Sequence, residues 1–317
     1  MGNVLAVTLP FFALVLTGYG AGRWRILDAA GINGLTRFVF YFALPCMLFG
    51  RLAQTSPSVI FNGPFLAAYV TAALVTLAIG AAAARVLFRS SIAEASVIGL
   101  SASYSNIGFM GIPLLVAAVG DFVAVPLALM LTIDLILLVP LAMLLIEWDQ
   151  DGSHRGQHLA RIVFGVFLTN PLVIAICLGI LAAVIGLALP EPIYGFIGLL
   201  GDTAGPCAMF ALGATLAGRP VTGYATMAMT MSAGKLVLHP LVMAAVMTVF
   251  GIATPWLAAA VLGAGMPMAA VLFVIAQQYD VRPAVASTAV LASTALSILT
   301  LSGLVALMNG SGMLPTL

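Results

Sequence analysis

Apolar residues run through this chain in long blocks separated by short polar breaks. Blocks near the ~20 residues needed to cross the hydrocarbon of a bilayer fall at 4–22, 33–53, 64–88, 92–119, 122–146, 162–186, 193–217, 223–250, 254–279 and 283–308. That pattern predicts ten membrane-spanning helices. The longest polar connection runs from Glu147 to Arg161 and contains Asp149, Asp151, His154, Arg155 and His158. It divides the chain into five spans over 1–146, a cytoplasmic linker over 147–161 and five spans over 162–317.

Two of the blocks carry an internal break signal, Gly111-Ile112-Pro113 in the fourth and Gly265-Met266-Pro267 in the ninth. Proline removes a backbone donor and clashes with the preceding turn, while glycine tolerates the unusual dihedrals that follow. In lipid the freed backbone groups find no water, so interrupted helices persist only against protein or a wet cavity. A matched pair of interrupted spans, one in each half, is the best sequence pointer to a transporter's binding site.

Composition fixes the solvent. Hydrophobic residues make up 63% of the chain and charged residues 7%, with a mean hydropathy of +1.20. No soluble domain hides that much apolar surface, so the chain reads as a polytopic membrane protein. The net charge of +1 says nothing of partners, and no basic run is present for nucleic acid, which is not expected as a partner. Cys46, Cys177 and Cys207 fall within apolar spans and read as packing residues rather than a disulfide or metal site. The first residues have no basic segment ahead of the apolar run, so no cleaved signal peptide is expected. Asn309 to Leu317 reads as a short tail. Nothing in the sequence resembles a catalytic triad, a metal cluster or a phosphate loop, so neither an enzyme nor a cofactor is expected.

Positive charge then orients the spans. With the N-terminus outside, inner loops and helix ends hold Arg23, Arg25, Arg37, Arg85, Arg89, Arg155, Arg161, Arg219 and Arg282, against Arg51 alone outside. That bias places both termini away from the cytoplasm, and a bacterial inner membrane is the expected location. Arg85 and Arg89 read as anchors at the inner interface.

The halves also share landmarks. Pro10 matches Pro171, Gly18 matches Gly179, and Pro45-Cys46 matches Pro206-Cys207, each at an offset of 161. The two Gly-x-Pro breaks are offset by 154, which implies a small deletion in the second half. Because each half has an odd number of spans, the second copy enters from the opposite side. The expected fold class is therefore all-α, with ten transmembrane helices as two inverted five-helix repeats whose broken fourth and ninth helices cross at the midplane.

Around these landmarks the chain resembles the auxin efflux carrier family, which includes plant PIN carriers and bacterial organic-acid carriers. The similarity starts at Gly18-Tyr19-Gly20, Arg23-Trp24, Gly31-Ile32-Asn33, Arg37-Phe38-Val39 and Ala43-Leu44-Pro45. It continues through Asn106 and the Met110-Gly111-Ile112-Pro113-Leu114 that follows, then Asp202 and Ala208 to Gly213. It ends in Met266-Pro267, Phe273 to Pro283 and Ser287-Thr288-Ala289-Val290. Nearly the whole chain is covered, in order. Ser105 stands where the plant pattern has proline, Met268 where it has glutamine, and a short segment replaces the large loop of many plant members. The resemblance implies the family's fold and carboxylate transport, but not auxin as the substrate.

The candidate site follows from both readings. Asn106 offers two donors and an acceptor to a carboxylate, or else bonds a neighbouring helix. Gly111, Pro113, Gly265 and Pro267 would form the crossover, whose amides and half-helix N-termini present positive partial charge to an anion. Met110, Ile112, Met266 and Met268 would be its apolar walls or plain filler. Asp134 and Asp202 are ionisable groups at depth, costly unless paired or neutral, and are candidates for carrying a coupling proton. Lys235 and His239 lie four apart on one face of the eighth span. Lys235 could neutralise Asp134 or Asp202, or attract the substrate, while His239-Pro240 reads more simply as a kink with a satisfied imidazole. Ser101, Ser103 and Ser105, with Ser287, Thr288, Ser293 and Thr294, let helices approach closely or line a wet path.

The expected function is a secondary transporter of a small organic anion such as malonate or malate, working by alternating access. The first, second, sixth and seventh spans would move relative to the crossing unit. Its partners are the anion, the bilayer, a proton in preference to Na+ if transport is coupled, and a second copy if it forms a homodimer; facilitated diffusion down the membrane potential is equally allowed. A sodium-coupled symporter of the bile-acid or antiporter type should place oxygen side chains around the breaks, and few are present. A non-transporting membrane sensor is the other alternative, and no output domain is visible for it.

Overall fold

The computed structural model describes residues 2–150, 169–217 and 225–314. Those residues are helical almost throughout, and among them there is no β-strand. In chain order the helices are α1 (Gly2–Arg23), α2 (Ala29–Ala53), α3 (Gly63–Phe88), α4 (Ile92–Ser103), α5 (Ile107–Val119) and α6 (Asp121–Gln150). After the undescribed segment come α7 (Pro171–Ile185), α8 (Glu191–Ala217), α9 (Ala225–Val249), α10 (Thr254–Ala264), α11 (Val271–Gln278) and α12 (Pro283–Gly310). Among the described residues, six segments are long and apolar enough to cross a membrane: α2, α3, α6, α8, α9 and α12. The chain is an integral membrane protein.

Helix ends at the polar breaks are closed by side chains. Asp28 caps α2 through the Gly31 amide at 2.7 Å, Asn62 caps α3, and Asn170 caps α7. Ser91 and Glu94 form a reciprocal capping box at the start of α4. No side chain caps the start of α5 or of α11, the two helices that begin at a break.

Helix α6 runs on through Glu147 to Gln150 because α11 holds its end: the Tyr279 hydroxyl donates to Glu147 at 2.6 Å and the Gln150 amide to the Tyr279 carbonyl at 2.9 Å. Asp149 joins the same cluster, accepting from the Ala93 amide at 2.9 Å. Asp151, His154, Arg155, His158, Arg161 and Arg219 lie outside the described residues.

Packing sorts the helices into two groups. One comprises α1, α2, α7 and α8, with α1 on α8 and α7 on α2. The other comprises α3, α4, α6, α9, α10, α11 and α12, and α5 stands between them. Lipid tails are as apolar as leucine, so contact between spans rests on close packing of small residues. A Cβ on Gly18 of α1 would lie 2.0 Å from the Phe210 carbonyl oxygen of α8, and one on Gly213 of α8 would lie 1.9 Å from that of Val15. A Cβ on Gly179 of α7 would approach the Leu52 Cβ of α2 to 2.8 Å and the Phe49 carbonyl to 3.2 Å. Gly18 and Gly179 are 161 residues apart, and so are Phe49 and Phe210. The same contact thus occurs twice, at the offset of the proline landmarks.

Candidate functional site

Both predicted interruptions exist, but the first is displaced. The fourth span unwinds at Tyr104-Ser105-Asn106, and Gly111-Ile112-Pro113 lies within continuous helix. The Asn106 carbonyl accepts from the amides of Met110 and Gly111 at 3.2 and 2.8 Å, which opens a wide π-type turn over Ile107–Gly111. Pro113 follows that turn as an early residue of regular helix, where a missing donor is tolerated. The ninth span unwinds where expected, from Gly265 through Ala270. A Cβ on Gly265 would lie 2.8 Å from Leu304 Cδ2, the movable end of a side chain, and 3.4 Å from the Val261 and Leu262 carbonyls.

The two unwound stretches meet. Ser105 and Met268 form an isolated antiparallel backbone bridge. The Asn106 amide donates to the Pro267 carbonyl at 2.8 Å, and the Ala269 amide to the Tyr104 carbonyl at 3.3 Å. Backbone groups that helix breakage releases in one span are thereby satisfied by the other. Met268 is further held by its amide donating to Ser293 Oγ at 3.3 Å. A Cβ on Gly111 would touch Met266 Cγ at 3.3 Å, so α5 packs closely on the second break.

Burial decides which candidates could meet a solute here. Asn106, Met110, Gly111, Ile112, Pro113, Gly265, Met266, Pro267 and Met268 are all buried. The Asn106 carboxamide makes no hydrogen bond to any described residue, and the buried Ser105 hydroxyl has no partner. A cavity of about 770 Å³ opens between α2 and α8 on one side and α5 and α6 on the other. Pro113 lines it, together with Cys46, Met47 and Gly205. The other crossover residues do not reach it. At the cavity, Arg51 of α2 forms an exposed ion pair with Asp121 of α6.

Asp134, Lys235 and His239 are brought together around the second break. Asp134 is fully buried, its Oδ1 accepting from the Tyr69 hydroxyl at 2.5 Å and its Oδ2 left without a partner. Lys235, also fully buried, donates to the Ala264 carbonyl at 2.5 Å and bonds His239 Nδ1 at 2.9 Å. Asp134 lies within electrostatic reach of Lys235 and Tyr104. The imidazole is not satisfied as the sequence suggested, because its buried Nε2 has no partner.

Asp202 is elsewhere. It is exposed at the end of the first part of α8 and lines the cavity, so the alternative pairing of Lys235 with Asp202 does not occur. Its apolar neighbours in sequence suggested depth in lipid, whereas the kink after it turns the position towards a polar cavity. Sequence reasoning missed Tyr69, whose hydroxyl is the direct partner of Asp134. The only signal was the need of a buried carboxylate for a donor. The Ala264 carbonyl carries no side-chain signal at all.

Comparison with known proteins gives the family. The family model described as "Membrane transport protein" matches residues 4–305. A Rhizobium meliloti (strain 1021) protein named "Putative malonate transporter" is 32% identical over 316 residues, spanning 99% of this chain and 98% of its own. The rice (Oryza sativa subsp. japonica) "Probable auxin efflux carrier component 5a" is 24% identical, covering 95% of each chain. The "Uncharacterized transporter YfdV" of Escherichia coli (strain K12) is 25% identical over 89% of this chain and 91% of its own. With its family model matched almost end to end and a relative at this identity over nearly its full length, the chain belongs to the membrane transport protein family of the auxin efflux carriers.

Proposed function

We propose that the protein is a secondary transporter that moves a small organic anion, a carboxylate such as malonate or malate, across the membrane by alternating access. The observation that carries this reading is the bridge between the two breaks. It gathers two uncapped half-helix N-termini and an Asn106 carboxamide without a hydrogen bond to any described residue around one buried point, a combination suited to an anion. The relative named for malonate transport supports the substrate class.

The architecture in this reading is two inverted five-helix repeats. The equivalent contacts of Gly18 with Phe210 and Gly179 with Phe49 support it. So does the bridge: Tyr104 pairs with Ala269 and Asn106 with Pro267, so the two hydrogen bonds exchange if Tyr104 is equivalent to Pro267 and Asn106 to Ala269. That equivalence has an offset of 163, close to 161, and removes the need for the deletion that the Gly-x-Pro match implied. The termini lie outside, so the arginine-rich end faces the cytoplasm. The cavity beside Arg51 then opens outward, and α1, α2, α7 and α8 form one body against which the crossing unit moves.

A proton is the coupling ion assigned here, with Asp134 as its carrier. Asp134 is a buried carboxylate with one oxygen bonded to Tyr69 and the other unpartnered, within electrostatic reach of Lys235 and Tyr104. The experiment is carboxylate flux in proteoliposomes. Asn106→Ala is expected to lower it by about tenfold or more, the scale of losing a single hydrogen bond to a charged group, and Pro113→Ala, at the cavity wall, is expected to lower it as well. Unchanged flux of every tested carboxylate in both variants would overturn the assignment.

A further inference from the structure

The turns that follow the two broken spans are fastened differently. After α11, Arg282 pairs with Glu94 of α4 at 2.7 Å, and beside it the Tyr279 hydroxyl donates to Glu147 of α6. All of these helices belong to one packing group. After α5, the corresponding place in the first half, Asp121 pairs instead with Arg51 of α2, a helix of the other group. Polar fastening therefore crosses between the groups at the α5–α6 turn and stays within one group at the α11–α12 turn.

Both partners of the crossing pair are held at the backbone. Gly120 turns the chain between α5 and α6 at a φ of +103°, which favours glycine, and its amide still donates to the Val116 carbonyl at 3.0 Å. On α2 the Thr55 hydroxyl donates to the Arg51 carbonyl at 2.8 Å and the Gln54 amide to the Gly50 carbonyl at 3.0 Å. A shift of one group past the other at this end is therefore felt by the ion pair rather than absorbed by a slack loop. Arg51 and Asp121 both line the cavity of about 770 Å³, and Asp202 of α8 is the other charged residue there. Asp202 stands on the same group as Arg51, so pairing between those two would tie nothing together.

We infer that the Arg51–Asp121 pair is a latch between the two groups, made while this cavity is open and broken when the groups move, so that it biases the protein towards the state described here. The inference rests on alternating access as proposed above. The ties at Glu94 and Glu147 lie within one group and persist through the same movement. With side chains 42% and 63% exposed, the pair is a weak tie, worth about two- to fivefold in population. That strength suits a contact that breaks in every cycle.

Cys46 also lines the cavity and reports on it. With Cys177→Ser and Cys207→Ser as background, Cys46 is the single thiol, and its rate of reaction with N-ethylmaleimide in detergent reads the share of protein with the cavity open. Arg51→Gln and Asp121→Asn are each expected to slow that reaction by about two- to fivefold. The double variant should be no slower than either, since one contact has been lost. A direct effect of charge on the thiol would instead have opposite signs in the two single variants, because a cation favours the thiolate and an anion disfavours it. Raising NaCl from about 0.1 M to about 1 M screens the pair. It should bring the background protein to the rate of Asp121→Asn, which itself stays put, so the latch is also read without touching either partner. Unchanged or faster labelling in the single variants overturns the latch. So do opposite changes in the two, additive slowing in the double variant, or a salt response that survives in Asp121→Asn. Absence of malonate flux in wild-type proteoliposomes would instead count against the carrier reading, with the labelling rates still deciding the latch.

Discussion

Gly213→Ala is expected to separate α1 from α8 and to leave a protein that melts well below wild type in detergent. The added Cβ would sit 1.9 Å from the Val15 carbonyl oxygen and 2.8 Å from the Tyr19 amide nitrogen. Both are backbone atoms of one rigid helix, so no side-chain rotation relieves the clash. Overpacking of this kind costs about 1–3 kcal/mol and sometimes more, and the upper end applies where two helix backbones touch. Gly18→Ala should behave alike, against the Phe210 carbonyl. Gly195→Ala on the same α8 is the control, since nothing lies within 4 Å of its added Cβ. A melting temperature of Gly213→Ala equal to that of Gly195→Ala would show that the α1–α8 contact is not made as described.

The second large effect concerns Asp134. Its replacement by alanine removes the acceptor of the buried Tyr69 hydroxyl and leaves the Lys235 charge without its nearby carboxylate. Together these should destabilise the protein by on the order of 3 kcal/mol, the scale of breaking a buried charge interaction from one side. Adding Lys235→Met should recover part of the loss, because the uncompensated charge is then gone. A double-mutant cycle on melting in detergent reads that coupling directly; strictly additive effects would show that the two residues do not interact. Asp134→Asn, which keeps an acceptor for Tyr69, should fold and should lose the response of carboxylate flux to an imposed pH gradient. A preserved response would remove Asp134 from the proton step.

These residues also show what a one-dimensional reading could see. The apolar blocks were visible because lipid demands long runs free of charge, and six of the described helices are long and apolar enough to cross a membrane. Asp134 and Lys235 stood out for the same reason. Tyr69 did not, because a tyrosine in an apolar span is unremarked until its hydroxyl meets a carboxylate 65 positions away. The first break was misplaced for a related cause. Gly111 and Pro113 carry the local signal for irregular backbone, but the bond from Asn106 to Pro267, across the whole repeat, decides where the helix opens. At Pro267 local signal and tertiary contact coincide, and there the sequence position was correct. Asp202 shows the converse: local apolarity cannot reveal an open cavity made by distant helices.

The most direct test is counterflow of radiolabelled malonate into proteoliposomes preloaded with unlabelled malonate, made from protein that is monodisperse in detergent. The expected result is transient accumulation of label above that in protein-free vesicles, abolished in Asn106→Ala. Absence of accumulation for malonate, malate and every other small carboxylate tried would contradict a carboxylate carrier built around the bridged breaks.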